Sequence, residues 1–155
     1  MKAFFAEQAA ELDLQLKAAA WVGTPFMPNA AVRGSGVSCQ KLVGSIYIET
    51  GLLSEGFTIP EGPMDWGHAN TESLITNFMD KMECFQSIET KDSYQVMVGD
   101  MLGFKLGGCV HHCGIVVTKE GRFIHCLRNI GVTVSNLRDA SYLKRTERIW
   151  RPIRL

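Results

Sequence analysis

The chain has 155 residues, of which 46% are hydrophobic and 21% charged, and its 16 basic and 16 acidic residues give a formal net charge of zero. This length and composition are typical of one folded domain and exclude a disordered or fibrous protein. Zero net charge argues against a nucleic-acid partner and against electrostatic binding to a membrane. We therefore expect a single domain over residues 1–155 that binds neither.

The start of the chain does not predict an export signal, because Glu7, Glu11 and Asp13 interrupt any apolar segment there. No stretch approaches the roughly 18 apolar residues that span a bilayer. The chain also contains five cysteines, an odd number. We expect a protein that is made in the cytoplasm and keeps its thiols reduced.

Apolar residues at helical spacing predict a first helix over residues 3–21, which Gly23 and Pro25 end. Its expected core-facing stripe consists of Phe5, Ala9, Leu12 and Leu16. The same stripe also suits a helix that binds a membrane surface or a partner, although core packing is the simpler interpretation.

A loop rich in Gly and Pro over residues 23–38 leads into a second helix, which we expect to begin near Cys39 and end at Gly51. Its predicted buried residues are Leu42, Val43, Ile46 and Tyr47.

Residues 52–70 are rich in Gly and Pro and predict a long surface excursion that borders a cleft. Asn70 and Thr71 are then expected to cap a third helix. The predicted buried residues of this helix are Leu74, Ile75, Phe78, Met79 and Met82.

After about residue 96, short apolar runs alternate with turns that contain Gly, which indicates an antiparallel sheet. The predicted strands are 101–104, 111–117, 123–127, 131–134 and 149–153. Helices followed by strands predict an α+β fold, with N-terminal helices packed on a C-terminal antiparallel sheet.

Cys39 lies where the loop meets the second helix. Unpaired backbone N–H groups and the positive end of the helix dipole would stabilise a thiolate there. The same N–H groups could receive a developing oxyanion. Cys39 is therefore a candidate nucleophile, although a small buried residue would look the same in the sequence.

His112 and His125 lie on two consecutive predicted strands. They share a face of the sheet if the intervening hairpin closes through an even-numbered loop. Gly114 is expected to leave open space beside His112. A thiol, a histidine base and a second polar group are the parts of a cysteine nucleophile site.

Five segments of the chain, in order, resemble the NlpC family of papain-like cysteine peptidases. They are Gly23-Thr24-Pro25-Phe26, Gly36-Val37-Ser38-Cys39-Gln40, Gly99-Asp100-Met101-Leu102, His112-Cys113-Gly114-Ile115 and Gly121-Arg122-Phe123-Ile124-His125. The resemblance extends from about residue 17 to the end, where Gly131-Val132 and Trp150-Arg151-Pro152 also match in kind.

This resemblance implies a papain-like fold in which Cys39 is the nucleophile, His112 the general base and acid, and His125 the residue that orients the imidazole. It implies hydrolysis of amide bonds through an acyl-enzyme without a cofactor, with peptides of the bacterial cell wall, peptidoglycan, as the substrate. We expect no attached wall-binding module, because the chain is similar to stand-alone members among phage and prophage tail genes.

The chain departs from the family pattern around the nucleophile. Phe26 stands where the family commonly has a tyrosine whose hydroxyl assists the oxyanion site, and Ser38 and Gln40 replace Asp and Ser. Phe26, Ser38 and Gln40 are therefore oxyanion or substrate-binding candidates. Further candidate substrate contacts are Trp66, His68 and His111.

Two alternatives remain open on the sequence alone. Cys109, His111, His112, Cys113, His125 and Cys126 offer soft ligands within a short span, so a zinc site competes with catalysis. The four cysteines other than Cys39 are expected to pack as small apolar residues. Nothing in the sequence supports a role for Cys113 or Cys126 as a resolving cysteine. The second alternative is a phage-tail or assembly component that uses the fold for interaction and has little or no activity.

Overall fold

The computed structural model describes residues 2–60 and 73–155, except for the side chains of residues 92–94. Its helices are α1 (Gln8–Ala19), α2 (Cys39–Glu49), α3 (Leu74–Met79) and α4 (Ala140–Arg145), with a 3₁₀ helix at Thr90–Gln95. Its strands are β1 (Ala31–Val32), β2 (Gly36–Val37), β3 (Phe85–Ile88), β4 (Met101–Leu106), β5 (Cys109–Val116), β6 (Arg122–Leu127), β7 (Gly131–Asn136) and β8 (Thr146–Pro152). Within the described ranges, none of the helices has the length and apolar character needed to cross a bilayer.

Six strands form one antiparallel sheet in the order β3-β8-β4-β5-β6-β7. One face packs against α1, α2 and α3 and holds the larger core cluster, which includes Leu14, Leu42 and Ile115. The opposite face carries a smaller cluster around Phe104 and Phe123, against which Tyr142 of α4 packs. The predicted α+β architecture with an antiparallel sheet is confirmed.

The predicted buried stripe of the first helix is wrong. Leu12 and Leu16 are 53% and 65% exposed, whereas Leu14 and Ala18 are buried. The helix begins only at Gln8, and Phe5 is buried in the core from the segment before it. Leu14 and Ala18 also have helical spacing, so the sequence is compatible with either of two buried faces. Tertiary packing buries the face that carries Leu14 and Ala18.

The second helix matches its prediction: it begins at Cys39, and Leu42, Val43, Ile46 and Tyr47 are buried. The third helix is shorter than expected and is capped by Ser73, whose Oγ accepts a hydrogen bond from the Thr76 backbone N–H at 2.9 Å. The predicted cap at residues 70–71 lies outside the described residues. Leu74 is 39% exposed rather than buried.

The sequence did not predict β3 and α4. In β3, the two residues that follow Phe85 are polar, and the strand is defined by its pairing with β8 rather than by an apolar pattern. The α4 segment has no buried residue and so carries no amphipathic signal. Both elements are fixed by tertiary contacts that local patterns do not encode.

Candidate active site

Cys39 is the first residue of α2, and Ser38 is the N-cap. Ser38 Oγ accepts a hydrogen bond from the Lys41 backbone N–H at 3.4 Å, so this buried side chain serves the helix start. The first backbone N–H groups of a helix have no partner within the helix, and they surround the half-buried Cys39. The structure therefore places the thiol at a helix N-terminus, the position that favours a thiolate.

The loop before α2 is held against two strands. The Val132 N–H donates to Thr24 O at 2.8 Å, and the Val37 N–H donates to Pro25 O at 3.0 Å. Gly131 has φ +87°, and a Cβ at this position would lie 2.4 Å from Thr24 O, so only glycine allows this approach. Half-buried Phe26 lies beside Val37 and has no hydroxyl to offer to an oxyanion.

His112 and His125 meet on one face of the sheet. The register of β5 and β6 pairs Ile115 with Ile124, and His112 Nε2 lies 2.9 Å from His125 Nδ1. Both imidazoles are buried and belong to the aromatic group on the sheet face opposite α2. The hairpin loop thus has the even length on which the predicted pairing depended.

Gly114 does not leave open space beside His112, contrary to expectation. A Cβ at this position would lie 2.7 Å from the backbone oxygen of Ile124 and 3.3 Å from the Cβ of His125. The glycine instead permits β5 and β6 to approach closely next to the two histidines.

Ser135 of β7 is a third polar group in line with His112 and His125, and it was not predicted from the sequence. Its Oγ lies 2.8 Å from His125 Nε2. Ser135 pairs with Phe123, two residues from His125 on the neighbouring strand, so both side chains are on the same face. Strand alternation along β7 could have placed Ser135 on the same face as His125, but only if the register between β6 and β7 had been known.

The pKa of Cys39 is held well below its usual range. The hydrogen bond from the Cys113 thiol has the largest effect, burial opposes it, and the hydrogen bond and charge of His112 lower the pKa further. The charge of half-buried His111 also lowers it. Cys39 therefore sits beside both Cys113 and His112, neighbours on β5 whose side chains point to opposite faces.

His125 is neutral at physiological pH, because burial and then the charge of His112 lower its pKa to about 3. A neutral imidazole carries one N–H. If Nε2–H donates to Ser135 Oγ, then His125 Nδ1 accepts from His112 Nε2–H. In this arrangement Nδ1 of His112 is the nitrogen left to face Cys39.

Gln40 lies next to Cys39, since its Oε1 accepts a hydrogen bond from the Cys39 thiol at 3.0 Å. Gln40 and Cys113 also line a cavity of about 400 Å³, together with Tyr47, Phe78 and Met79 among others. The predicted substrate contacts Trp66 and His68 lie outside the described residues.

The zinc alternative gains no support from the geometry. Across residues 2–60 and 73–155, no three side chains of His, Cys, Asp or Glu converge in a way that could hold a metal ion. His112 and His125 face away from Cys113 and Cys126, which pack against α2. The cysteines other than Cys39 are buried or half-buried free thiols.

Asp100 has a structural role in the turn before β4. Its carboxylate is buried, pairs with Arg151 at 2.8 Å and accepts a hydrogen bond from the Met97 N–H at 2.9 Å. Burial raises the pKa of this carboxyl, and the hydrogen bond from Arg151 opposes that rise. The ion pair ties the turn before β4 to β8.

No protein-family profile matches the chain, and neither does any curated protein sequence. Its fold, by contrast, matches solved structures. The NlpC/p60 domain of the peptidoglycan hydrolase SagA is 16% identical with a TM-score of 0.58, and the match covers 90% of this chain and 96% of that one.

Two longer proteins match similarly. An NlpC/p60 family protein from Bacillus cereus is 20% identical with a TM-score of 0.62, over 93% of this chain and 40% of its own. NlpC1 from Trichomonas vaginalis is 16% identical with a TM-score of 0.63, over 96% of this chain and 47% of its own. The chain thus spans less than half the length of these two relatives. Its helices and six-stranded antiparallel sheet have the NlpC/p60 fold, an α+β fold of the papain-like type.

Proposed function

We propose that the protein is a cysteine peptidase that hydrolyses amide bonds in peptidoglycan peptides. The observation that carries the proposal is the continuous set of contacts from Cys39 through His112 and His125 to Ser135. The substrate class rests on the similarity in fold to the domain of a peptidoglycan hydrolase. No cofactor is needed for this chemistry, because the thiolate is itself a strong nucleophile.

In the first half of the reaction, Cys39 gives its proton to His112 Nδ1, and the thiolate attacks the amide carbonyl. The negative charge that develops on the carbonyl oxygen is stabilised by backbone N–H groups at the start of α2, including that of Cys39. His112 then donates its proton to the leaving amine, which departs and leaves an acyl group on Cys39.

In the second half, His112 Nδ1 accepts a proton from water as the water attacks the thioester. Collapse of the tetrahedral intermediate releases the carboxylate product and regenerates the thiolate. Throughout, neutral His125 accepts the hydrogen bond from His112 Nε2–H and fixes the ring with Nδ1 towards the thiol.

Incubation with purified peptidoglycan tests the proposal directly. We expect soluble fragments with newly formed carboxyl and amine ends, detected by mass spectrometry. The matched Cys39→Ser variant should lose about 10⁴-fold or more in rate, because the hydroxyl is a far weaker nucleophile. Intact peptidoglycan after incubation with folded wild-type protein would contradict the substrate class and favour the assembly alternative. Equal cleavage by Cys39→Ser would contradict the nucleophile.

Ser135 is proposed as a positioning residue that acts through His125. Replacing Ser135 with Ala should lower kcat about tenfold, the effect of losing one hydrogen bond of roughly 1.4 kcal/mol, and leave KM nearly unchanged. Ser135→Thr keeps the hydroxyl and should recover most of the rate. A rise in KM with unchanged kcat, or equal activity of the Ala and Thr variants, would contradict this role.

A further inference from the structure

A second thiol lies against the proposed nucleophile. The Cys113 thiol hydrogen-bonds to the Cys39 side chain, and its Sγ is 3.7 Å from the Cys39 backbone oxygen. Cys113 is fully buried on β5 between His112 and Gly114, whereas Cys39 is half-buried at the helix start. Cys39 is therefore the more accessible of the two residues, and Cys113 contacts it directly.

We propose that Cys39 and Cys113 form a reversible disulfide when a hydroperoxide oxidises Cys39, which inactivates the site and protects it from irreversible oxidation. This inference rests on the thiolate of the proposed function but does not require that the protein cleave peptidoglycan.

The chemistry uses a hydroperoxide as the only oxidant. The Cys39 thiolate attacks one peroxide oxygen, so an S–O bond forms, the O–O bond breaks, and the leaving hydroxide or alkoxide takes up a proton. The Cys113 sulfur then attacks the Cys39 sulfenic sulfur. The S–S bond forms as the S–O bond breaks, and the departing hydroxide takes the Cys113 proton and leaves as water. The two thiols together lose two electrons, which the peroxide gains.

The charge of Cys39 controls the second step. The hydrogen bond to Cys39, burial and then the Cys39 charge raise the pKa of Cys113 well above its usual range. Cys113 therefore stays a thiol while Cys39 is a thiolate. A sulfenic acid carries no negative charge. Oxidation of Cys39 therefore removes one cause of the raised pKa of Cys113, which allows the Cys113 thiol to react.

The other cysteines are placed less well for this reaction. The Cys126 thiol donates to Val37 O at 3.3 Å, and burial followed by the Cys39 charge raises its pKa to about 12. Cys109 is at the far end of β5, and Cys84 precedes β3. Cys126 is therefore the matched control, because it is buried against the same helix without bonding to Cys39.

The test treats the wild-type protein and the Cys113→Ala, Cys113→Ser and Cys126→Ser variants with hydrogen peroxide, blocks free thiols with iodoacetamide, and maps peptides without reduction. Wild type and Cys126→Ser should give a linked pair of peptides containing Cys39 and Cys113, and dithiothreitol should restore alkylation of Cys39. In the Cys113 variants, Cys39 should instead be trapped by dimedone as sulfenic acid. Excess peroxide should then convert it to a sulfinic acid that dithiothreitol does not reverse.

A Cys39–Cys126 link in the wild-type protein, or equal conversion of Cys39 to sulfinic acid with and without Cys113, would overturn the proposal. If neither Cys113 variant folds, the peptide map of the wild-type protein decides alone, with the presence or absence of the 39–113 link as the result. Since the readout is mass and alkylation, a protein that forms this link without cleaving peptidoglycan would retain the inference and lose the proposed function.

Discussion

The His112→Gln variant is expected to hydrolyse peptidoglycan about 10³-fold more slowly than the wild type, because it lacks the proposed general base and general acid. Cys39 of this variant should also react slowly with iodoacetamide. His112 lowers the pKa of Cys39 through a hydrogen bond and its charge, so its removal raises that pKa towards the ordinary value of about 8.5. The thiolate fraction at pH 6 should fall accordingly. The rate of iodoacetamide alkylation of Cys39, followed from pH 5 to pH 9, measures this shift.

His111→Gln is the matched control for this experiment, since it changes the adjacent residue of β5. His111 acts on Cys39 through its charge alone, and its contribution is the smallest of those that lower the pKa. We therefore expect a much smaller displacement of the alkylation profile. Identical profiles for wild type and His112→Gln would show that Cys39 does not depend on His112, and the proposed mechanism would fail.

Acid should destabilise the protein through His125. Its pKa is about 3 in the folded state and about 6.5 when unfolded, so the unfolded chain binds more protons between these values. The free energy of unfolding is therefore expected to fall as pH drops below 6.5, by about 1.4 kcal/mol for each pH unit down to about pH 3. Urea titrations at pH 7.0, 5.5 and 4.5 measure this loss.

His125→Gln has no imidazole to protonate and should lose this part of the pH dependence, so its unfolding free energy should fall less steeply than that of the wild type below pH 6.5. Carboxylates such as Asp100 titrate in both proteins, so the difference between slopes isolates His125. Parallel slopes for wild type and His125→Gln would contradict a buried, neutral His125.

The parts of the site that depend on local sequence were predictable. A Gly- and Pro-rich loop before an amphipathic run located Cys39 at a helix start, and alternation placed His112 and Cys113 on opposite faces of β5. The pairing of His112 with His125 depended on a hairpin length that turn residues only suggested. These features involve neighbours along the chain, where spacing alone carries most of the information.

Features that depend on contacts between distant segments were missed or reversed. Ser135 contacts His125 only because β7 has a particular register with β6. Leu14 rather than Leu12 faces the core because of the elements that pack on α1. Gly114 was expected to open space but instead allows a close strand contact. In each case the local pattern allowed two arrangements, and contacts far along the sequence decided between them.

The order of the sheet also constrains how the protein can be made. β8, the last strand of the described residues, lies between β3 and β4 and pairs with both, and within residues 2–60 and 73–155 β3 pairs with β8 alone. During synthesis, β3 therefore cannot pair with β8 until some sixty further residues have left the ribosome. Cys39 and the two histidines are all synthesised before β8, yet the sheet that supports them closes only when this final strand inserts.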